Sequence, residues 1–186
     1  MLPIDELNVL EAGITLTMQD PDMNKETKKR IIKDDIEDFL ILAYLMGTER
    51  TEQNFSSRKA QYRRDDDKLY DALYKEFKGK TILEEIDGYV EAEDIPSLNM
   101  VADTNMTRMF SAGAYDAGEQ FGGGMKKWIT MEDDRVRATH EFIQGVKVPF
   151  DRRFYTFDGD SARFPGDFSN PANNVNCRCM IDIIPE

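Results

Sequence analysis

Residues 97–124 read SLNMVADTNMTRMFSAGAYDAGEQFGGG, and this stretch decides the fold. Met106, Phe110, Gly113, Ala117 and Phe121 recur at spacings of four and three, the period of one face of an α-helix. The spacing predicts a long helix from about Ser97, just past Pro96, to Phe121. Gly113 and Ala117 are small members of that stripe, so a second helix can approach closely there. Gly122, Gly123 and Gly124 then end the periodicity, and three glycines in a row read as a hinge or turn. They do not fit a phosphate-binding loop: no strand precedes them, and no Lys-Ser/Thr pair opens a helix after them.

Upstream of this helix the chain reads as helical. Residues 1–24, with Pro3, Gly13 and Pro21, carry no clear period and are expected to be irregular. Asn24 or Thr27 can cap a helix beginning near Lys25, whose stripe is Ile32, Ile36, Phe39, Ala43 and Met46, with Gly47 as its stop. Leu69, Leu73 and Phe77 mark a further helix from Asp66, ending at Gly79. Leu83, Ile86 and Val90 mark another over residues 82–90.

Downstream the pattern becomes mixed. Trp128 to Met131, Val146 to Phe150 and Phe154 to Phe157 favour short strands. Asp133 and Asp134 suit a helix N-terminus, which predicts a helix from there to Ile143, ended by Gly145. Residues 159–176 are rich in Gly, Pro, Ser, Asn and Asp and read as a long loop. Cys179, Ile181 and Ile183 alternate with polar neighbours as a final strand. The expected class is α+β: an irregular segment 1–24, a helical region 25–121, and a small α+β module 122–186 with a long loop.

Composition bounds the function. Hydrophobic residues make up 40% of the 186, enough for a packed core. The longest dense apolar run, Phe39 to Met46, is far shorter than the ~20 residues of a membrane-spanning helix. The N-terminus carries Asp5, Glu6 and Glu11 and has no basic residue before Lys25, so it lacks the positive region of a signal peptide. We expect a protein made and kept in a cytosol unless a larger particle carries it, with no membrane partner. The net charge is −12, which opposes non-specific nucleic-acid binding. The one basic island, Arg58, Lys59, Arg63 and Arg64, is followed at once by Asp65, Asp66 and Asp67 and reads as a compensated, solvated segment. Cys177 and Cys179 are too close for an unstrained disulfide and are expected to be reduced.

Residues with chemical potential gather in the last third. On a helix, Asp133, Arg137 and His140 or Glu141 share one face, Arg135 points away, and Val136 and Ile143 face the core. Two alternatives stand for this set. In one, His140, Cys177 and Cys179 hold a metal such as zinc, with Asp133 as a fourth ligand. In the other, His140 and Asp133 form hydrogen bonds that lock the loop 159–176 down, and the thiols are small core side chains. A hydrolytic or nuclease-like module built on Asp133, Arg137, His140 and the cysteine pair is the runner-up, since small ribonucleases can work with one His, Arg, Lys and a carboxylate. The acidity counts against it.

The ordered series is Lys-Trp-Ile-Thr at 127–130, Asp-x-Arg-Val-Arg-x-x-His at 133–140, Gly145, Pro165-Gly166-Asp167 and the closing Asn-Cys-Arg-Cys at 176–179. It resembles the Mu F-like minor head proteins, also described as phage head-morphogenesis proteins, over Asp103 to Pro185. The resemblance assigns signature positions to Lys127, Trp128, Thr130, Asp133, Arg135, Arg137, His140, Gly145, Cys177, Arg178 and Cys179. Asp103-Thr104-Asn105 stands where the family often has Arg-Thr-Glu, and Gln144 where an Asp is frequent before the glycine. Both departures weaken the case for a catalytic carboxylate. The resemblance implies a non-catalytic virion protein made in the host cytoplasm. It would act in head assembly or genome delivery, with the portal or other capsid proteins as partners and packaged DNA as a further contact. The Ile32–Met46 stripe is the expected contact surface. Some relatives carry a C-terminal toxin domain, and with the sequence ending at Glu186 none is expected here.

Overall fold

The computed structural model describes residues 4–59, 61–77 and 79–185; Pro3 and Glu186, used in the sequence reading, lie outside them. The helical part comprises α1 (Ile4–Gln19), α2 (Lys25–Asn54), a 3-10 turn (Ser56–Arg58), α3 (Asp66–Leu73), α4 (Ile82–Glu91) and α5 (Ile95–Gln120). The rest comprises β1 (Met125–Ile129), α6 (Ala138–Glu141), β2 (Lys147–Pro149), β3 (Phe154–Tyr155), β4 (Ser161–Ala162), α7 (Pro171–Asn174) and β5 (Met180–Ile184). The class is α+β, with the helices first and a small sheet region last.

Local chemistry explains most boundaries. Asn24 caps α2 by accepting the Thr27 N–H at 2.9 Å, and Asp65 caps α3 through the Lys68 N–H. Thr81 and Glu84 form a reciprocal capping box on α4. Asp94 caps α5 at the Ser97 N–H, with Pro96 in the first turn, where its missing N–H has no intrahelical partner to lose. Pro96 therefore starts the helix instead of preceding it. The basic island is solvated and compensated, with Arg64 Nε on Asp66 Oδ1 at 2.5 Å.

Several expectations are corrected. The helix expected from Asp66 to Phe77 ends at Leu73, and Phe77 instead forms an isolated bridge with Lys80. The segment 1–24 is not irregular: α1 fills most of it and buries Leu10, Ile14 and Met18 against α2 and α5. Gly13 and the β-branched Ile14, Thr15 and Thr17 depress its propensity, so tertiary packing supplies what the local sequence does not. Gly47 does not stop α2, which continues to Asn54. The helix expected over 133–143 shrinks to α6. Asp133 takes the Arg135 N–H at 3.1 Å and Glu132 sits at φ 54°, so the side chain closes a local turn in competition with the helix.

Gly47 instead marks where α2 crosses α5. A Cβ there would lie 2.0 Å from the Phe110 carbonyl oxygen, and a Cβ at Gly113 would lie 2.0 Å from that of Tyr44. The two backbones touch reciprocally, as the small residue at Gly113 anticipated. Around the crossing Ile32, Ile36, Leu40, Ala43 and Tyr44 of α2 are fully buried with Met109, Phe110 and Ala114 of α5. The Ile32–Met46 stripe is therefore internal to this chain, which removes it as a contact surface for a partner.

After α5 the chain turns through Gly122, Gly123 and Gly124, at φ 85°, 72° and 112°. A side chain at Gly123 would also strike Phe150. β1 then forms the centre of an antiparallel sheet ordered β2-β1-β5, with Trp128 opposite Ile181 and Lys126 opposite Val148 and Ile183. β3 and β4 pair separately within the long connection, Phe154 opposite Ala162. α2 reaches this sheet directly, since Asn54 Nδ2 donates to Asp182 Oδ1 and to the Ile183 carbonyl at 2.8 and 2.9 Å.

The crossing predicts a strong asymmetry between glycines. Gly47→Ala should lose about 1–3 kcal/mol through overpacking against fixed backbone. Gly88→Ala, in open space within α4, should be neutral or gain up to about 1 kcal/mol. Urea denaturation of both variants measures the contrast.

Candidate functional site

Alternation along β1 buries Lys126 and Trp128 on one face and leaves Lys127 half-buried on the other. Trp128 is fully buried among three rings: His140 at 5.4 Å between centroids, Phe154 at 5.2 Å and Phe168 at 5.6 Å, all edge-on. His140 also stacks on Phe168 at 5.2 Å and 19°. One aromatic cluster thus joins β1, α6, β3 and the long loop. Gly145, at φ 72°, donates its N–H to the Trp128 carbonyl and brings the chain back beside β1.

The closing Asn-Cys-Arg-Cys folds onto this cluster. Asn176 adopts φ 55°, and its N–H donates to Thr104 Oγ1 of α5 at 2.9 Å. That turn carries both thiols inward. Cys177 Sγ lies 3.5 Å and Cys179 Sγ 3.4 Å from His140 Nδ1, and all three residues are buried. The cysteines are free thiols. Their mutual hydrogen bond, with help from His140, holds the Cys177 thiol well below its usual range and pushes Cys179 up. Among the described residues, His140 Nε2 is buried without a hydrogen-bond partner. A cavity of about 10 Å³ adjoins the group, bordered by Met131, Arg135, Val136 and Asn176.

The polar positions around the cluster are engaged with the chain itself. Arg137 donates to the carbonyls of Ala172 and Val175, clamping α7. Thr139 Oγ1 donates to Asn173 Oδ1 at 3.2 Å. Asp133 accepts Arg178 Nη2 at 2.7 and 2.8 Å, and that ion pair holds its carboxyl below the usual range. Gln144 Oε1 accepts the Thr130 N–H at 2.7 Å, so the amide fills an acceptor role in which a carboxylate is not needed. Arg135 is exposed but does not point away from the group: its guanidinium lies 3.9 Å from Asp133 Oδ2, and it borders the cavity beside His140. Ile143 is buried and Val136 half-buried.

The structure thus brings His140, Cys177 and Cys179 together, with Arg137 and Arg178 lining the same small cavity, and leaves Asp133 outside the group. Without a continuous helix from 133 to 143, no shared face forms. Asp133 is not within the group of ligand atoms, which comprises the one histidine and two thiols. The loop 159–176 is locked, as one alternative held, but by Arg137, Thr139 and the His140–Phe168 stack. Asp133 secures the terminal segment instead.

Two features escaped the sequence reading. Lys126 is fully buried, donates to the Arg163 carbonyl at 2.8 Å and lies 4.9 Å from the centre of the Tyr115 ring and 5.4 Å from that of Phe154. Burial, with Arg163 and Arg153 nearby, lowers its pKa to about 8. Strand alternation with Trp128 was the available signal. Asp167 gathers Arg163 at 3.0 Å, Arg153 at 3.4 Å and Lys75 at 3.4 Å. Burial raises its pKa, but the Arg163 hydrogen bonds outweigh this and the net shift is downward. Nothing local in the sequence announces that convergence.

The fold and cluster define a helix-backed α+β module whose polar signature fastens a long loop and the terminal strand to one aromatic core. Residues 71–182 match the family described as Phage Mu protein F like protein, and the chain belongs to that family, one of phage head morphogenesis. Among curated proteins, the NAD(+)–arginine ADP-ribosyltransferase EFV of Enterococcus faecalis is 36% identical over 66 residues. The match covers 35% of this chain and 13% of that protein. No solved structure matches.

Two measurements check the site's energetics. Trp128→Ala should destabilise by roughly 3–5 kcal/mol, read by thermal or urea melts. Lys126 has a folded pKa below its unfolded value, so between about pH 8 and pH 10.5 the unfolded state holds more protons and stability from this group rises with pH. Comparing the melts of wild type and Lys126→Met across that window should show this rise in the wild type and its loss in the variant.

Proposed function

We propose that this protein is a minor structural component of a tailed-phage head, present in the virion. It acts non-catalytically in head assembly or genome delivery through contact with the portal or another capsid protein. Membership of the Mu F-like family carries this proposal. The engagement of Asp133, Arg137 and Arg178 with groups of the same chain supports a structural role for these signature residues. The transferase activity in the name of the Enterococcus relative is not carried over, because the match covers a small part of that protein.

The contact surface differs from the one the sequence suggested. Phe142 and Phe157 form an edge-on pair at 5.7 Å with 61% and 60% exposure, beyond α6 and β3. On α1, Val9 and Leu16 face outward at 63% and 71%. Exposed aromatics of this kind serve as anchors in protein interfaces. The excess of 36 acidic over 24 basic residues disfavours packaged DNA as the main partner.

The test follows the protein through infection. It should co-sediment with proheads and mature heads and co-purify with the portal protein. A Phe142→Ser/Phe157→Ser variant should keep the wild-type melt and lose portal association at least about tenfold. Absence of the wild-type protein from both proheads and virions would overturn the proposal.

A further inference from the structure

We propose that His140 Nδ1, Cys177 Sγ and Cys179 Sγ are three ligands of a single zinc ion whose fourth ligand is a solvent oxygen. Ligand geometry carries this site, which goes beyond the structural role proposed above. Zinc bonds of about 2.05 Å to nitrogen and 2.3 Å to sulfur, at tetrahedral angles, place the two ligand atoms about 3.6 Å apart. The observed separations from His140 Nδ1 are 3.5 and 3.4 Å. One ring nitrogen faces both sulfurs, and all three ligand atoms lie within 4.8 Å of one another. An ordinary buried thiol–imidazole contact needs only one such approach.

The surroundings suit the ion. Two thiolates and Zn²⁺ sum to zero charge, so the loaded group can remain buried without a counter-ion. Thiolate and imidazole ligands in a tetrahedral set favour zinc over magnesium, calcium or manganese. The adjoining cavity of about 10 Å³ is close to the room one water needs, and it borders the same three residues. Ligation at Nδ1 fixes the ring proton on Nε2, while the His140–Phe168 stack holds the ring plane. The ligands come from α6 and from the segment entering β5, so the ion would join two parts of the chain 37 and 39 residues apart.

The test uses the full chain, purified under reducing conditions and without chelator. Elemental analysis should find about one equivalent of zinc, and removing it with a strong chelator should lower the melting temperature reversibly. Cobalt(II) added to the metal-free protein should give intense tetrahedral d–d bands and a sulfur-to-cobalt charge-transfer band. Azide should perturb the d–d bands if the fourth position is solvent. Cobalt should also quench the single tryptophan, whose ring centre is 5.4 Å from that of His140. Cys177→Ser and His140→Ala should each weaken cobalt binding by more than the about 10–100-fold that loss of an outer partner costs. Because either variant can misfold, the wild-type titration is decisive. Folded, reduced wild-type protein that carries no zinc and gives neither cobalt bands nor quenching would overturn the proposal.

Discussion

The backbone contact between α2 and α5 is the constraint on which the rest of the molecule depends. Gly47 and Gly113 each admit a carbonyl oxygen of the other helix at a distance no side chain tolerates. That contact fixes both the separation and the register of the two longest helices. It also leaves the remaining sides of α5 free for other duties. Toward the sheet, a Cβ at Gly118 would press on Phe150 and Ile183, so the strand layer sits directly on the helix. Thr104 receives the Asn176 N–H, and Arg108 donates to Asn105 and to the Ala72 carbonyl. A shift of α5 would therefore move the loop, the terminal strand and α3 together.

Within that frame, the loop between β4 and β5 has little regular backbone pairing and is held by side chains. Asn174 bridges both backbone groups of Phe168 at 3.1 and 2.8 Å, and Asp160 accepts from Ser161, Ser169, Asn170 and Asn173. Those hydrogen bonds outweigh the burial that raises the Asp160 carboxyl and bring its pKa to about 2. Each interaction is modest alone, about 1 kcal/mol net for a typical hydrogen bond. Their common effect is to deliver Phe168 to Trp128 and His140, where the large aromatic surfaces are removed from water. Polar groups set the position, and the rings supply the driving force.

The sequence made these two levels unequally legible. Stripes at helical spacing located α2 to α5, although α5 is buried all round over residues 105–114, and alternation found β5, whereas β1, expected over Trp128–Met131 from strand-forming residue types, lies at Met125–Ile129. The meaning of Gly47 was hidden, since a glycine that ends a helix and one that admits a neighbouring backbone look alike without the partner. α1 was missed because its weak local propensity is rescued by α2 and α5. The proximity of His140 to the cysteines could be suspected only from residue type and family order. Their separations depend on Asn176 in a left-handed conformation and on the Asp133 turn that shortens α6. Asp167 was invisible as a site, because a buried anion is recognised by what surrounds it, and Lys126 could be suspected only through its alternation with Trp128.

The distribution of charge bears on what the molecule can meet. Lys126 and Arg108 lie inside, held by carbonyl oxygens and ring faces, and Arg163 is drawn onto Asp167. Lys126 and Arg108 are thus turned inward, while Arg135, Lys147, Arg152 and Arg163 stay exposed among a larger number of carboxylates, so the outer surface keeps the acidic balance of the net charge. A phosphate backbone gains few released counterions from such a surface. An apolar protein face meets a better match in the exposed aromatic pair. The signature residues act on this indirectly. Their donors and acceptors satisfy the chain's own carbonyls, amides and carboxylates, which makes the loop behave as part of a rigid body. Such rigidity matters for any contact made through the loop, because disorder there would have to be removed, at an entropic cost, each time the contact forms.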